Sequence, residues 1–249
     1  MKLKLHWRDL LWPSVALGVY LALAAMPGVW EAVLGWLFPD ETRLLYPDAT
    51  MLEMIGQHLA MVGLSSLLSV LIGVGLGVFV TRPAGEDYFD VVSDLTNLGQ
   101  TFPPVAVFTL AVPLLGFGFE PIVLALTIYG VLPVLQNTIA GLRSLPENVI
   151  ESASGMGMRP NQVLRWAELP LAAPVILAGV RVSVVINVST ATIGAIANAG
   201  GLGSPIINGL VNLDPAVTLQ GALLAGGLAL ILDAYLGAIE RSFARPAPG

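Results

Sequence analysis

The chain of 249 residues contains no cysteine. That excludes disulfides, thiolate metal sites and a cysteine nucleophile together. Charge is scarce: only 11% of residues are Asp, Glu, Lys or Arg, against roughly a quarter in an ordinary soluble domain. Histidine occurs only at His6 and His58, too far apart to form a paired metal spacing. Basic residues number 11 against 17 acidic ones, a net charge of -6, so no nucleic-acid partner is expected. There is no Walker-type glycine-rich loop, and the chain is therefore not expected to bind ATP by itself. No nucleophile, metal cluster or acid/base pair marks a membrane enzyme, and no cofactor or metal is expected. What is abundant is apolar. Hydrophobic residues make up 55% and mean hydropathy is +0.80, in runs too long for a soluble core.

Six apolar runs predict an all-α integral membrane protein with six transmembrane helices. The division expected is 1–51 for a first span and external loop, 52–240 for the main transmembrane domain, and 241–249 for a cytoplasmic tail. Lys2, Lys4 and Arg8 precede the first run, Leu10 to Met26. It reads as an uncleaved span, because it is long for a signal core and no small-x-small site closes it. Gly28 to Met51 reads as an external loop, with a short interfacial helix from Trp30 to Phe38. The second span, Leu59 to Val80, carries Gly73 and Gly77, a spacing that lets helix backbones approach closely. Glu86, Asp87, Asp90 and Asp94 predict an amphipathic cytoplasmic helix leading into the third span, Leu98 to Leu115.

That third span contains Gln100-Thr101-Phe102-Pro103-Pro104. Two prolines free backbone carbonyls, which only protein or a water-lined cavity can satisfy. Broken helices often mark transport routes, so Thr101, Phe102 and Pro103 are path candidates. The fourth span, Ile122 to Leu142, places Gln136 and Asn137 near its cytoplasmic end, against the polar segment that follows. The fifth runs from Pro170 to Ala197. Its Arg181 is expected to snorkel to the surface or to bond carbonyls within the bundle. Asn187, Ser189 and Thr190 extend the list of path candidates. Ala199 to Pro205 is glycine-rich but follows no strand, so it predicts a re-entrant turn and not a phosphate loop. The sixth span is Ala216 to Ile239, with Asp233 near its cytoplasmic side.

Charge placement orients this layout. With both termini inside, the cytoplasmic face receives Lys2, Lys4, Arg8, Arg82, Arg143, Arg159, Arg165, Arg241 and Arg245. That is nine of the 11 basic residues, the bias the positive-inside rule demands. Only Arg43 falls outside, and Arg181 lies within the membrane. The expected location is the inner (plasma) membrane.

The same orientation puts the most polar stretch, Pro146 to Pro170, in the cytoplasm. Pro146 can open one short helix and Gly155 and Gly157 can close it. Pro160 can open a second, which Pro170 is expected to end. Val149, Ile150 and Ala153 share a face of the first, and Val163, Leu164 and Ala167 share a face of the second. Glu151-Ser152-Ala153, three residues, Gly157, nine residues, Ala167, one residue, Leu169-Pro170 resembles the Glu-Ala-Ala…Gly…Ile-x-Leu-Pro signature of permease subunits of binding-protein-dependent ABC importers. Ser152 and Ala167 depart from it, and both stay small. In that family the segment is the coupling helix that docks on the ATPase. The resemblance therefore implies the type I ABC importer fold. It assigns ATPase coupling to Glu151, Ser152, Ala153, Gly157, Ala167, Leu169 and Pro170.

A narrower resemblance covers roughly Leu52 to Glu240. The runs GQTFPPVAVFTLAVPLLGFG, YGVLPVLQNTIAGL, ELPLAAPVILAGVRVSVVINVSTATIGA and LGSPIINGL are similar to the permeases of osmoprotectant (glycine betaine, choline, carnitine) uptake systems. This implies half of a translocation path, with ATPase subunits, a second permease subunit (identical or different), a periplasmic or lipid-anchored substrate-binding protein, and membrane lipid as partners. ATP hydrolysis is expected on the partner. Two alternatives stand beside it: an importer permease for methionine or sulfonates, and a stand-alone secondary transporter, for which Asp233 is the one candidate ion-coupling carboxylate.

Overall fold

The computed structural model describes residues 7–244. The expectations placed on Lys2, Lys4, His6, Arg245 and the tail past Ala244 lie outside the described residues. Among those described, all regular structure is helical. Helix α1 spans Trp7–Ala24 and α2 spans Pro27–Leu37. The long α3 spans Met51–Val80, and α4 spans Phe89–Thr101. Helices α5, Pro104–Leu115, and α6, Phe119–Arg143, follow. The polar segment holds α7, Glu147–Gly155, and α8, Pro160–Val163. Then come α9, Leu169–Thr190, α10, Gly203–Asn212, and α11, Pro215–Ala244.

Four helical stretches are long and apolar enough to cross a membrane alone, and two bent pairs bring the number to six. One pair is α1 with α2, bent by 80°; the other is α4 with α5, bent by 96°. A helix is thus present where Trp30 to Phe38 was expected to form one, but it spans Pro27–Leu37. The third span differs from its expectation. It is not one helix from Leu98 to Leu115 but turns sharply at Phe102 and Pro103. Pro104 at the first position of α5 costs no hydrogen bond there, yet it pushes Pro103 and Phe102 into extended backbone, which α4 cannot continue through. Twelve residues of α5 cover only about 18 Å, well short of the roughly 30 Å hydrocarbon core.

The second span starts earlier than its apolar pattern suggests. Thr50 and Glu53 form a reciprocal capping box: the Glu53 carboxylate accepts from the Thr50 N–H at 2.8 Å, and Thr50 Oγ1 accepts from the Glu53 N–H at 3.2 Å. This satisfies two otherwise orphaned donors and fixes the helix start.

Helix α6 is central. Sixteen of its 25 residues are buried, so it meets protein on most sides where a peripheral span would meet lipid. Helix α3 packs on one flank and α9 on the other. The expected close approach at Gly73 and Gly77 is observed. A Cβ on Gly73 would come within 2.8 Å of Val134 Cβ, and one on Gly77 within 2.7 Å of Thr138 Cβ. At that contact distance a methyl group has no room. Helix α11 closes the bundle against α9 and α10, and α1 leans on α11 through Tyr20, whose hydroxyl donates to the Leu224 carbonyl at 2.9 Å. The outer face of α1, with Leu11, Trp12, Val15 and Val19, stays exposed, as a lipid-facing surface should.

The glycine-rich stretch forms a tight turn, with Asn198, Gly200 and Gly201 at positive φ, leading into α10. Two side chains of α3 pin it. Gln57 Oε1 accepts from the Gly201 N–H at 2.8 Å. His58 Nε2 meets the Val188 carbonyl at 3.0 Å, while its Nδ1 lies 3.4 Å from the Leu202 N–H. One ring nitrogen donates and the other accepts, so His58 serves as a neutral brace.

Replacing Gly77 by Leu is expected to cost about 1–3 kcal/mol by overpacking the α3–α6 contact. A Cβ on Gly75 meets nothing within 4 Å, and Gly75→Leu is expected to change stability by less than about 0.5 kcal/mol. Thermal unfolding of the two detergent-purified variants checks the difference.

Candidate functional site

The polar segment from Pro146 to Pro170 is two helices and a hinge. Pro146 sits just before α7 as its cap residue, one position earlier than expected. The far end of α7 closes on Gly157 at φ +84°. There the Gly157 N–H donates to the Ser154 carbonyl at 2.9 Å and the Met158 N–H to the Ala153 carbonyl at 3.3 Å. That paired pattern is a Schellman cap, whose left-handed residue is most at ease as glycine. Ala153 is buried, and Val149 and Ile150 beside it are half-buried. Glu151, Ser152 and Met156 point outward. The Ser152 hydroxyl bonds back to the Asn148 carbonyl at 2.6 Å, so the departure from alanine leaves no unsatisfied group.

Pro170 does not end the second helix. The chain runs from Pro160 through α9 without a break. Proline lacks the N–H an α-turn needs, and the backbone adapts with a wide π-turn over Leu164–Glu168, where the Leu169 N–H reaches the Leu164 carbonyl. Such turns recur where helices carry function. Val163 is buried, while Leu164, Ala167, Leu169 and Pro170 are half-buried; Trp166 is 75% exposed on the opposite side. Of the seven residues assigned to coupling, Glu151, Ser152 and Gly157 are exposed, Ala153 is buried, and Ala167, Leu169 and Pro170 are half-buried, where α7 packs against α8 and the π-turn.

Sequence reasoning missed what holds this segment in place. Glu168 is buried, and its carboxylate accepts a two-pronged ion pair from Arg82, just past the end of α3. Nη1 lies 3.1 Å from Oε1, and Nη2 bonds Oε2. Each residue was visible alone, an acid directly before Leu-Pro and an arginine directly after the second span, but no local pattern paired them. Beside them lies a polar cavity of about 280 Å³, lined by Arg82, Glu86, Arg143, Ile150 and Glu168 among others. Arg143 also stacks its guanidinium over the Phe89 ring at 4.4 Å, fixing α4 to the end of α6.

Arg181 finds carboxylate partners where carbonyls were one expectation. It lies across α11, where Nε and Nη2 grip Asp233 at 2.6 and 2.7 Å and Nη1 reaches Glu240 at 3.2 Å. Two acids about two turns apart on α11 make the better partner, since a fork of five donors fits carboxylates. Asp233 is thereby paired with a cation of the protein itself. Asn137 also differs from expectation. It bonds the Pro133 carbonyl of its own helix at 2.9 Å and packs under Gly179 of α9, not against the polar segment.

The path candidates fall in two places. Thr101, Phe102 and Pro103 are exposed at the α4–α5 break, with Phe102 52% exposed. Ser189 is exposed and Thr190 half-buried on the last turn of α9. Asn187 is turned inward and fully buried, its amide donating to Ser66 Oγ at 3.0 Å and Ser65 Oγ at 3.3 Å on α3. It joins two helices and is shielded from solvent within this chain.

Comparison with known proteins fits this arrangement. The family described as binding-protein-dependent transport system inner membrane component matches residues 69–245. The osmoprotectant import permease protein OsmY of Salmonella typhimurium is 37% identical over 209 residues, 84% of this chain and 85% of that protein. The choline transport system permease protein OpuBB of Bacillus subtilis is 38% identical, covering 74% of this chain and 84% of the relative. Among solved structures, the inward-facing MetNI methionine ABC transporter superposes with a TM-score of 0.70. Identity there is 23%, over 78% of this chain and 96% of that one.

Arg181→Met would leave Asp233 and Glu240 without their cation. Because these side chains are 28–38% exposed, the expected loss is about 2–3 kcal/mol, less than for a fully buried pair. Asp233→Asn should cost less, since Glu240 still faces the arginine. The thermal midpoints of the purified variants test the order.

Proposed function

Because the chain belongs to the family of binding-protein-dependent transport system inner membrane components, we propose that it forms half of the translocation path of an ATP-driven importer for quaternary ammonium solutes such as glycine betaine or choline. The observation that carries the choice of solute is likeness along most of the chain. Relatives at 37–38% identity are named for osmoprotectant, choline, or glycine betaine/carnitine/choline transport. Resemblance to the methionine transporter is one of fold, at 23% identity.

In this reading the partners are two ATPase subunits, a second permease subunit and an external substrate-binding protein. Both termini lie in the cytoplasm, which follows from the distribution of arginine and lysine. The outward rim of α7, with Glu151 and Ser152, meets the ATPase. The Gly157 cap sets the angle at which α7 leaves the bundle, and Leu169 and Pro170 set its return. ATP binding draws two such segments together and rocks the permease halves outward; hydrolysis reverses the motion. Thr101, Phe102 and Pro103 at the helix break, with Ser189 and Thr190, are the residues proposed to border the path. Asn187 contributes by fixing α9 to α3.

Uptake of labelled glycine betaine and choline by the complex reconstituted with its ATPase and binding protein tests the solute. Saturable, ATP-dependent uptake is expected, with competition between the two solutes and none from methionine or sulfonates. Competition by methionine, or ATP-independent uptake by this chain alone, would overturn the assignment. Gly157→Asp is expected to abolish that uptake while membrane insertion persists, because an L-residue at φ +84° strains the cap. Wild-type uptake by the variant would remove Gly157 from the coupling machinery.

A further inference from the structure

Three helices make the core of this permease: α3, α6 and α9. Two run into the cytoplasmic segment through the backbone. Helix α6 reaches α7 across Ser144, Leu145 and Pro146, and α9 continues directly from α8 through the π-turn. Any displacement of the segment is therefore passed to both covalently. Helix α3 has no such link, because the chain leaves its cytoplasmic end at Thr81 and turns away toward α4. Yet this is the end at which Arg82 reaches over and grips Glu168.

We propose that the Arg82–Glu168 ion pair is the joint that carries motion of the coupling segment into α3, so that all three core helices respond together. This rests on the role in ATPase coupling proposed above. Four observations support it. Glu168 is the one acid of the segment that is buried; Glu147 and Glu151 are exposed. It lies on the π-turn, the most irregular backbone of the segment, where a pull on α7 is first felt by α9. The contact is a fork of two donors on two oxygens, a geometry that transmits direction as well as charge. Finally, the other holds on the end of α3 are apolar, Val80 against Leu135 and Ile139 and Val78 on the cluster that Leu164 and Leu169 also join, so the ion pair is the directional polar contact there. The neighbouring space is the 280 Å³ cavity, and the Nε of Arg82 is buried without a partner. Arg82 and Glu168 are positioning residues: they touch no solute, and act through α3 and α9.

The test uses the whole reconstituted complex and reads uptake per ATP hydrolysed. Glu168→Gln and Arg82→Gln, which each remove one charge of the pair, are expected to lower that ratio several-fold. The double charge reversal, R82E with E168R, is expected to recover part of it. A purely structural role would reduce the yield of complex and its thermal midpoint while leaving the ratio at the wild-type value, and that result overturns the proposal. If the glutamine variants do not assemble, Arg82→Lys decides. It keeps the charge and loses the fork, so a reduced ratio supports the joint and an unchanged ratio sinks it. Failure of the wild-type complex to take up betaine or choline would instead count against the solute assignment, and leaves this ratio measurable with whatever solute the complex does carry.

Discussion

Lipid gives two helices no hydrophobic reason to pack, because acyl chains are as apolar as leucine. What holds α3, α6 and α9 together is therefore close backbone approach and the hydrogen bonds it allows. Gly73 and Gly77 remove the side chains that would keep α3 away from α6. Only at that separation can the single Ser69 hydroxyl proton be shared between two carbonyls, Ser65 of its own helix at 2.8 Å and Thr127 of α6 at 3.0 Å. Asn187 completes the three-helix contact from the α9 side. Everything else in the bundle is arranged around this core.

A core that tight does not deform smoothly, so flexibility has to sit where the backbone is irregular. It does so in three places. The α4–α5 break lies at Phe102 and Pro103, and Gln100 ties the helix before it to the Tyr129 carbonyl of α6 at 2.8 Å. The glycine-rich turn is held to α3 by Gln57 and His58. The π-turn before Pro170 is held to α3 by Glu168 and Arg82. In each case the irregular segment is bound to a core helix by one or two polar side chains. That arrangement lets a segment pivot about a fixed point and still leaves no buried backbone group to lipid.

The sequence announced its class and spans plainly, because apolar runs of membrane length have few other uses. It also announced the Gly73–Gly77 contact and the cap at Gly157, since both depend on one residue type at one spacing. Other features were hidden for physical reasons. A proline reads as a helix end, but it is only a missing donor; a π-turn upstream of Pro170 absorbs the loss, and no local pattern predicts that. The extent of the break at Phe102 and Pro103 depends on where α4 lies against α6, which is a tertiary matter. Thr50 and Glu53 did carry a legible capping box, obscured because the first two turns of α3 lie before its strongest apolar stretch. The ion pairs were the least legible. Arg82 and Glu168 stand 86 positions apart, and Arg181 and Asp233 stand 52 apart, so the pairing follows only from the packing of helices.

These pairings bear on why a chain so poor in charge keeps the charges it has. In a soluble domain most arginines are solvated and nearly interchangeable. Here Arg43 pairs with Asp214 across the outer face, Arg143 caps the Phe89 ring, Arg82 holds Glu168, and Arg181 holds Asp233 and Glu240. All four connect elements distant in sequence. Attraction between opposite charges grows as the surroundings become less polar, and so does the penalty for leaving one alone. A charge within or beside a membrane is thus a poor solubiliser and a strong joint. These four arginines of the permease serve mechanics, standing where rigid helices must be kept in step.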